Sequence, residues 1–201
     1  MDDTHSTRPD PTRPITRRTV LTGVTVAGLA AVAGCLDDSD DPVSDPITIE
    51  PEMACDNCTM EIGNYRGPAG QSFYDEPEPI LETDEDRPAQ FCSSRCTYGF
   101  TFDHESQAEP TVVYLTDYSS VDWEVVTGGD APEISRHLDA ETFADPAELT
   151  LVVDSDVHGA MGRSLIGFSD PDDAESFQDE HGGDRYEHDE ITPELLQSLM
   201  G

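Results

Sequence analysis

Lysine is absent from the 201-residue chain, and its ten basic residues are all arginine against 44 Asp and Glu, a formal net charge of -34. A surface so poor in cations repels phosphates instead of releasing their counterions, which excludes ordinary nucleic-acid binding. Apolar residues are also scarce, 35% of the chain with 7% aromatic. In dilute buffer such a balance favours disorder, because little apolar area opposes the self-repulsion. At about 1 M salt the screening length shrinks to roughly 3 Å and that repulsion largely vanishes. The composition therefore reads as a halophilic surface, and it says more about the solvent than about a partner. Long apolar runs are missing too. The longest, Val20 to Gly34, is interrupted by Thr22, Gly23, Thr25 and Gly28 and falls short of the roughly 20 residues a spanning helix needs. No Ser-His-Asp order, phosphate loop or carboxylate pair stands above the acidic background, so no catalytic residues are assigned and the chain is expected not to be an enzyme.

What is present at the start is an address. Thr16-Arg17-Arg18-Thr19-Val20-Leu21 sets twin arginines, Arg17 and Arg18, directly before the apolar stretch, the mark of export in the folded state. The stretch has the length of a signal-peptide core. It ends in Val32-Ala33-Gly34-Cys35, which resembles the lipobox at which lipoproteins are cleaved and lipidated on the new N-terminal cysteine. Residues 1–35 are expected to form a twin-arginine lipoprotein signal region, with Cys35 lipidated and the protein anchored on the outer face of the cytoplasmic membrane. Residues 36–46, with four aspartates between 37 and 41 and two prolines, are expected to be a flexible acidic tether. The first 35 residues hold only three acids, so the acidic load belongs to the mature protein.

Residues 47–201 read as one α+β domain built from two small ββαβ modules, about 53–118 and 148–190. In the first, extended segments near Ile62–Tyr65, Gln71–Tyr74 and Ala89–Phe91 precede a helix starting at Ser93 or Ser94, and a strand follows at Thr111–Thr116. The second repeats the order: strands at Leu149–Val153 and Arg163–Phe168, then a helix capped by Ser169 or Asp170 with Pro171 in its first turn. Ala174, Phe177 and His181 fall at helical spacing, Gly182-Gly183 stops the helix, and Arg185–Glu187 closes the module. A short helix from Thr192-Pro193 to Leu199 ends the chain.

With Cys35 set aside, four cysteines remain, Cys55, Cys58, Cys92 and Cys96, arranged as C-x2-C and C-x3-C. Two such pairs can close a tetrahedral shell around a metal. The alternatives are two disulfides, a zinc site that stabilises a small fold, or a redox pair at Cys55 and Cys58. Met60 lies two residues beyond Cys58, so in an extended segment both sulfurs share a face. Thiolate with thioether is a soft donor set that favours Cu(I) over zinc. Met161, in the glycine-flanked loop His158-Gly159-Ala160-Met161-Gly162, is a candidate third sulfur, and His158 a weaker candidate donor. The glycines would let that loop approach another part of the surface closely. His104, His137, His181 and His188 have no partner at ligand spacing.

From about Met53 to His188 the chain resembles the NosL family in a haloarchaeal-type form. The resemblance is carried by Cys58-Thr59-Met60, Tyr65-Arg66-Gly67-Pro68-Ala69-Gly70-Gln71-Ser72-Phe73 and Phe91-Cys92-Ser93-Ser94, and by Asp122-Trp123, Gly159-Ala160-Met161-Gly162, and Ala174 to Phe177 with Glu180 to Gly183. It implies two ββαβ modules and a lipid-anchored Cu(I)-binding metallochaperone serving nitrous-oxide reductase or its assembly machinery in denitrification. The family's Cys-Gly-Met element lands on Cys58-Thr59-Met60. With Thr in the place of Gly, ordinary backbone angles are expected at Thr59, since a β-branched residue avoids positive φ. The family's Gly-Met-Gly stretch lands on Met161 and Gly162. The Cys92 to Cys96 segment is also similar to the C-x3-C element of TRASH-type metal-sensing domains, which makes the site richer in thiolate than the minimal family element.

Overall fold

Three of the four α-helices among the described residues start at side-chain caps. Ser93, Asp170 and Thr192 each accept a hydrogen bond from a backbone N–H of the following turn, those of Cys96, Asp172 and Leu195, and Pro171 and Pro193 occupy first-turn positions where a missing N–H costs nothing. The computed structural model describes residues 43–83 and 85–200. The export arginines Arg17 and Arg18, the lipid-acceptor Cys35 and most of the tether lie outside the described residues.

The first module runs β1 (Gly70–Phe73), a short helix α1 (Glu78–Leu81), β2 (Ala89–Phe91), α2 (Ser94–His104) and β3 (Val112–Thr116). β1 is central and antiparallel to both neighbours, with Gly70 opposite Phe91 on one side and Leu115 on the other. Short pieces follow: β4 (Val125–Val126), β5 (Glu133–Ile134) and β6 (Phe143–Ala144). The second module is β7 (Thr150–Gly159), β8 (Gly162–Phe168), α3 (Pro171–His181) and β9 (Asp184–Tyr186), and α4 (Pro193–Ser198) ends the order. β7 is central and antiparallel to β8 and β9. The two modules thus share one topology, the expected ββαβ pair, each with its first strand in the middle.

The connecting strands extend both sheets. β6 pairs with β3, and β5 joins the end of β7 in parallel, Glu133 opposite His158. A register shift between Val153 and His158 lets one edge of β7 take β9 along its first half and β5 near its end. This irregularity is why β7 continues to Gly159, beyond the Val153 expected from the sequence. The segment expected to be extended at Ile62–Tyr65 is instead a 3-10 turn, Ile62–Asn64. Ile62 N–H donates to the Met53 carbonyl and Gly63 N–H to the Pro51 carbonyl, so these backbone groups close a local loop rather than a ladder.

Alternation along β7 divides the core. Leu151 and Val153 pack with Leu165, Tyr98 and Leu196, whereas Val152 packs with Ile166, Phe168, Ala174 and Phe177 of the α3 side. Both faces of the second sheet are therefore covered, which explains its nearly continuous apolar strands. The modules are joined by buried and part-buried polar bonds. Asp117 accepts from Ser169 N–H and Ser169 Oγ, at 2.9 and 2.7 Å, and Ser94 Oγ donates to the Leu165 carbonyl at 2.7 Å. A third apolar cluster, of Ile49, Ile62, Phe91 and Phe100 among others, contains Cys55, Cys92 and Cys96. Among the described residues no helix is long and apolar enough to cross a membrane.

Candidate metal centre

Cys55 and Cys58 sit on a small knuckle closed by an antiparallel bridge between Ala54 and Glu61. Within it, Cys55 N–H donates to the Met60 carbonyl and Thr59 N–H to the Cys55 carbonyl, both at 2.8 Å. Closing so tight a loop drives Thr59 into the left-handed region, φ 64. The expectation of ordinary angles there is overturned: the loop's two backbone bonds outweigh the crowding of the β-branched side chain, a cost of about 1–2 kcal/mol. The segment from Cys58 to Met60 is accordingly not extended, so Met60 does not share a face with Cys58 by strand geometry.

Cys92 follows β2, and Cys96 lies in the first turn of α2, where Ser93 Oγ accepts from Cys96 N–H at 3.0 Å. The knuckle is stapled to β2 by Asp56. Its N–H donates to the Gln90 carbonyl at 2.9 Å, its carboxylate accepts from Gln90 N–H at 2.7 Å, and Arg87 grips it with two nitrogens, each at 2.8 Å.

These ties bring all four sulfurs within 4.8 Å of one another. Cys58 Sγ lies 3.4 Å from Cys92 Sγ, which lies 3.8 Å from Cys96 Sγ. Four thiolates at the usual metal–sulfur distance of about 2.3 Å stand roughly 3.8 Å apart, so the spacing fits one shared soft ion. All four are free cysteines. Cys55, Cys92 and Cys96 are 1%, 0% and 2% exposed, while Cys58 is half-buried and marks the open side.

The cluster already favours one thiolate. Hydrogen bonds from the Cys92 and Cys96 thiols hold Cys55 well below the usual thiol range. Donating those protons to Cys55, with burial added, pushes Cys92 up and raises Cys96 to about 12.

Other predicted donors are placed differently. Met161 packs against the cysteine-bearing apolar cluster, as does Met53, which sequence reasoning missed; Met60 is not among the side chains packed there. Met161 occupies the turn between β7 and β8, and Gly159 in that hairpin presses on Gly67 and Pro68, leaving no room for a side chain at Gly67 and little at Gly159. The close approach expected of the loop is thereby realised. His158 is held in β7, its N–H donating to the Pro132 carbonyl at 2.8 Å, and it is not grouped with the cysteines. Among the described residues the other histidines have structural partners, such as Tyr98 Oη for His188 Nδ1 and the Phe100 carbonyl for His104 Nδ1. A groove of about 400 Å³ opens beside Cys96, between α2 and α4, with Arg95, Met161, Leu196 and Met200 in its walls.

Two arginines escaped notice in the sequence. Arg95 Nη1 donates to the Met161 carbonyl at 2.6 Å, and Arg136 Nη2 donates to the carbonyls of Cys92 and Arg66 at 2.7 and 3.1 Å. Their partners are backbone oxygens distant in sequence, for which no spacing rule exists.

Two ββαβ modules that gather four thiols at the margin of an apolar core define a soft-metal-binding protein. Residues 46–196 match the NosL family model, and the chain belongs to that family. It is 28% identical over 153 residues to the copper-binding lipoprotein NosL of Stutzerimonas stutzeri, spanning 76% of this chain and 69% of that protein. The crystal structure of the copper chaperone NosL from Shewanella denitrificans superposes with a TM-score of 0.59 at 27% identity, over 76% of this chain and 99% of that one. Those names describe binding proteins rather than enzymes.

Proposed function

We propose that this chain is an extracytoplasmic Cu(I) metallochaperone, exported by the twin-arginine route, held on the membrane by a lipid on Cys35, and delivering copper to the maturation of nitrous-oxide reductase. The observation that carries the copper reading is the convergence of four free thiols with one open side at Cys58, next to a hairpin that offers the Met161 thioether. An ion held there is reached from outside, so a partner's ligands can enter before all of the carrier's have left. The relatives' names, a copper-binding lipoprotein and a copper chaperone, support the cargo and the anchor. Cys58, Met161 and Met60 are the proposed exchange ligands. Cys55, Cys92 and Cys96 form the buried side of the shell, and His158 is left as a peripheral donor.

One observation favours the alternative, a structural zinc module: the four sulfurs make a complete tetrahedral set without any methionine. Loading the reduced protein anaerobically in high salt with Cu(I) and zinc in competition, followed by metal content and X-ray absorption, separates the two. Copper with sulfur ligands, weakened by Met161→Leu, is the expected result. Tightly held zinc in four-sulfur coordination, indifferent to Met161 and Met60, overturns it.

A further inference from the structure

Six arginines occur among the described residues against a large excess of carboxylates. Arg87, Arg163 and Arg185 form ion pairs with acids. Arg66, Arg95 and Arg136 form none; Arg66 is exposed to solvent, whereas Arg136 and Arg95 lie at the cysteine cluster. Arg136 is bedded in carbonyl oxygens, with Nε on Tyr65 and Nη2 on Arg66 and Cys92. Its Nη1 is buried and has no partner at all. Arg95 shares the groove with Cys96 and Met161 and donates to carbonyls of the hairpin.

Arg136 is half-buried, but a guanidinium whose inner nitrogen is fully buried without a partner, and whose other nitrogens meet only neutral carbonyls, is costly, since nothing repays that desolvation. In so acidic a chain a carboxylate partner would be easy to supply. Carbonyl ties would hold the loops as well if they came from a neutral amide, so they do not account for a full charge. The missing anion is at hand in the cluster itself. Binding a monovalent or divalent soft ion through three or four thiolates leaves a complex of net negative charge, sitting in an apolar environment.

We infer that Arg136, seconded by Arg95, is the counter-charge of the thiolate cluster, a positioning residue pair that lets the buried cysteines hold a soft metal as an anionic multi-thiolate complex. The inference rests on the cluster being a metal site, and not on the metal being copper. Arg136 acts through the potential it imposes on Cys92 and Cys55, and its hydrogen bonds fix where that charge sits.

The test reads the potential directly. In metal-free, reduced protein the cysteines are alkylated in parallel by anionic iodoacetate and neutral iodoacetamide. The iodoacetate-to-iodoacetamide rate ratio is expected to fall about threefold or more in Arg136→Gln and to stay within about twofold of the parent in Arg136→Lys, which keeps the charge. Cd(II) retention, read from its thiolate charge-transfer band, is expected to fall about tenfold in the glutamine variant and to be largely rescued by lysine. If Arg136→Gln does not fold, Arg95→Gln, which leaves every Arg136 contact intact, is expected to lower both readings in the same direction. An unchanged rate ratio in the folded glutamine variants overturns the inference. Failure of copper loading with the ratio still charge-dependent overturns the copper carrier and leaves this inference standing.

Discussion

Arg87 and Asp56 form a two-pronged ion pair, both contacts at 2.8 Å, that fastens the knuckle bearing Cys55 and Cys58 to the strand leading into Cys92. With side chains only 19% and 13% exposed, the pair is better shielded than a surface salt bridge, and Asp56 also accepts from Gln90 N–H. Its role is to set one half of the sulfur cluster against the other. Asp56→Asn is expected to destabilise the metal-free fold by about 1–3 kcal/mol and to weaken metal retention further, because the knuckle must then be ordered at the moment of binding. Denaturant unfolding with and without metal measures both parts, and a variant as stable and as metal-retentive as the parent would contradict the assignment.

Thr59 carries strain that its neighbours impose. With φ 64 it adopts a conformation in which a β-branched residue is disfavoured by about 1–2 kcal/mol, whereas glycine enters it freely. Glycine also gives up more freedom on folding, which takes back part of the gain. Thr59→Gly is therefore expected to raise stability by about 0.5–1 kcal/mol, and Thr59→Ala by less. A loss of stability in the glycine variant would mean that the Thr side chain contributes a contact worth more than the strain.

Much of the fold was legible because strands and helix starts here obey local rules. Ala89–Phe91 lies between Pro88 and the cap at Ser93, and Asp170-Pro171 opens α3. The cysteine spacing likewise announced a common centre. What could not be read depends on contacts distant in sequence. Two-residue strands such as Val125–Val126 and Phe143–Ala144 exist only because a sheet edge is there to receive them. The left-handed Thr59 follows from a loop closure that overrides side-chain preference, and the environment of Arg136 is assembled from residues 65, 66 and 92.

The cluster's protons give the metal-free protein a characteristic pH profile. Cys55 is held below the usual thiol value of 9.0 by hydrogen bonds from Cys92 and Cys96. The unfolded chain therefore binds a proton there that the folded one has released, and this contribution is lost as pH falls below 9.0. Cys92 and Cys96 are raised above 9.0, first by their bonds to Cys55. Above that value the unfolded chain sheds protons that the folded one keeps, so stability falls as pH rises. The cysteine contribution is expected to peak near the ordinary thiol value and to flatten in Cys92→Ser/Cys96→Ser, a comparison that also cancels the alkaline effect of the buried Tyr98 and Tyr118. Metal replaces those protons and should abolish the cysteine part of the alkaline decline, leaving the part due to the tyrosines. Denaturant midpoints taken across the neutral-to-alkaline range, at constant high salt, test the shape; a monotonic curve identical in parent and double variant would refute it.

Gly67 and Gly159 meet backbone to backbone. A Cβ on Gly67, whose φ is 107, would fall inside van der Waals contact with the Gly159 backbone, and one on Gly159 would meet Pro68 Cδ at 3.1 Å. The contact between the loop after the knuckle and the β7–β8 hairpin is therefore backbone on backbone, and it sets how near Met161 stands to the cysteines. Gly67→Ala is expected to cost about 2 kcal/mol or more through overpacking and left-handed strain, and to push the hairpin outward. If Met161 is an exchange ligand, the same change lowers Cu(I) retention about as much as Met161→Leu does. The two substitutions then fail to add, because the second removes a donor that the first has already displaced. Additive losses of Cu(I) retention in the double variant would show that Met161 only fills space beside the cluster, and that the four cysteines hold the ion without it.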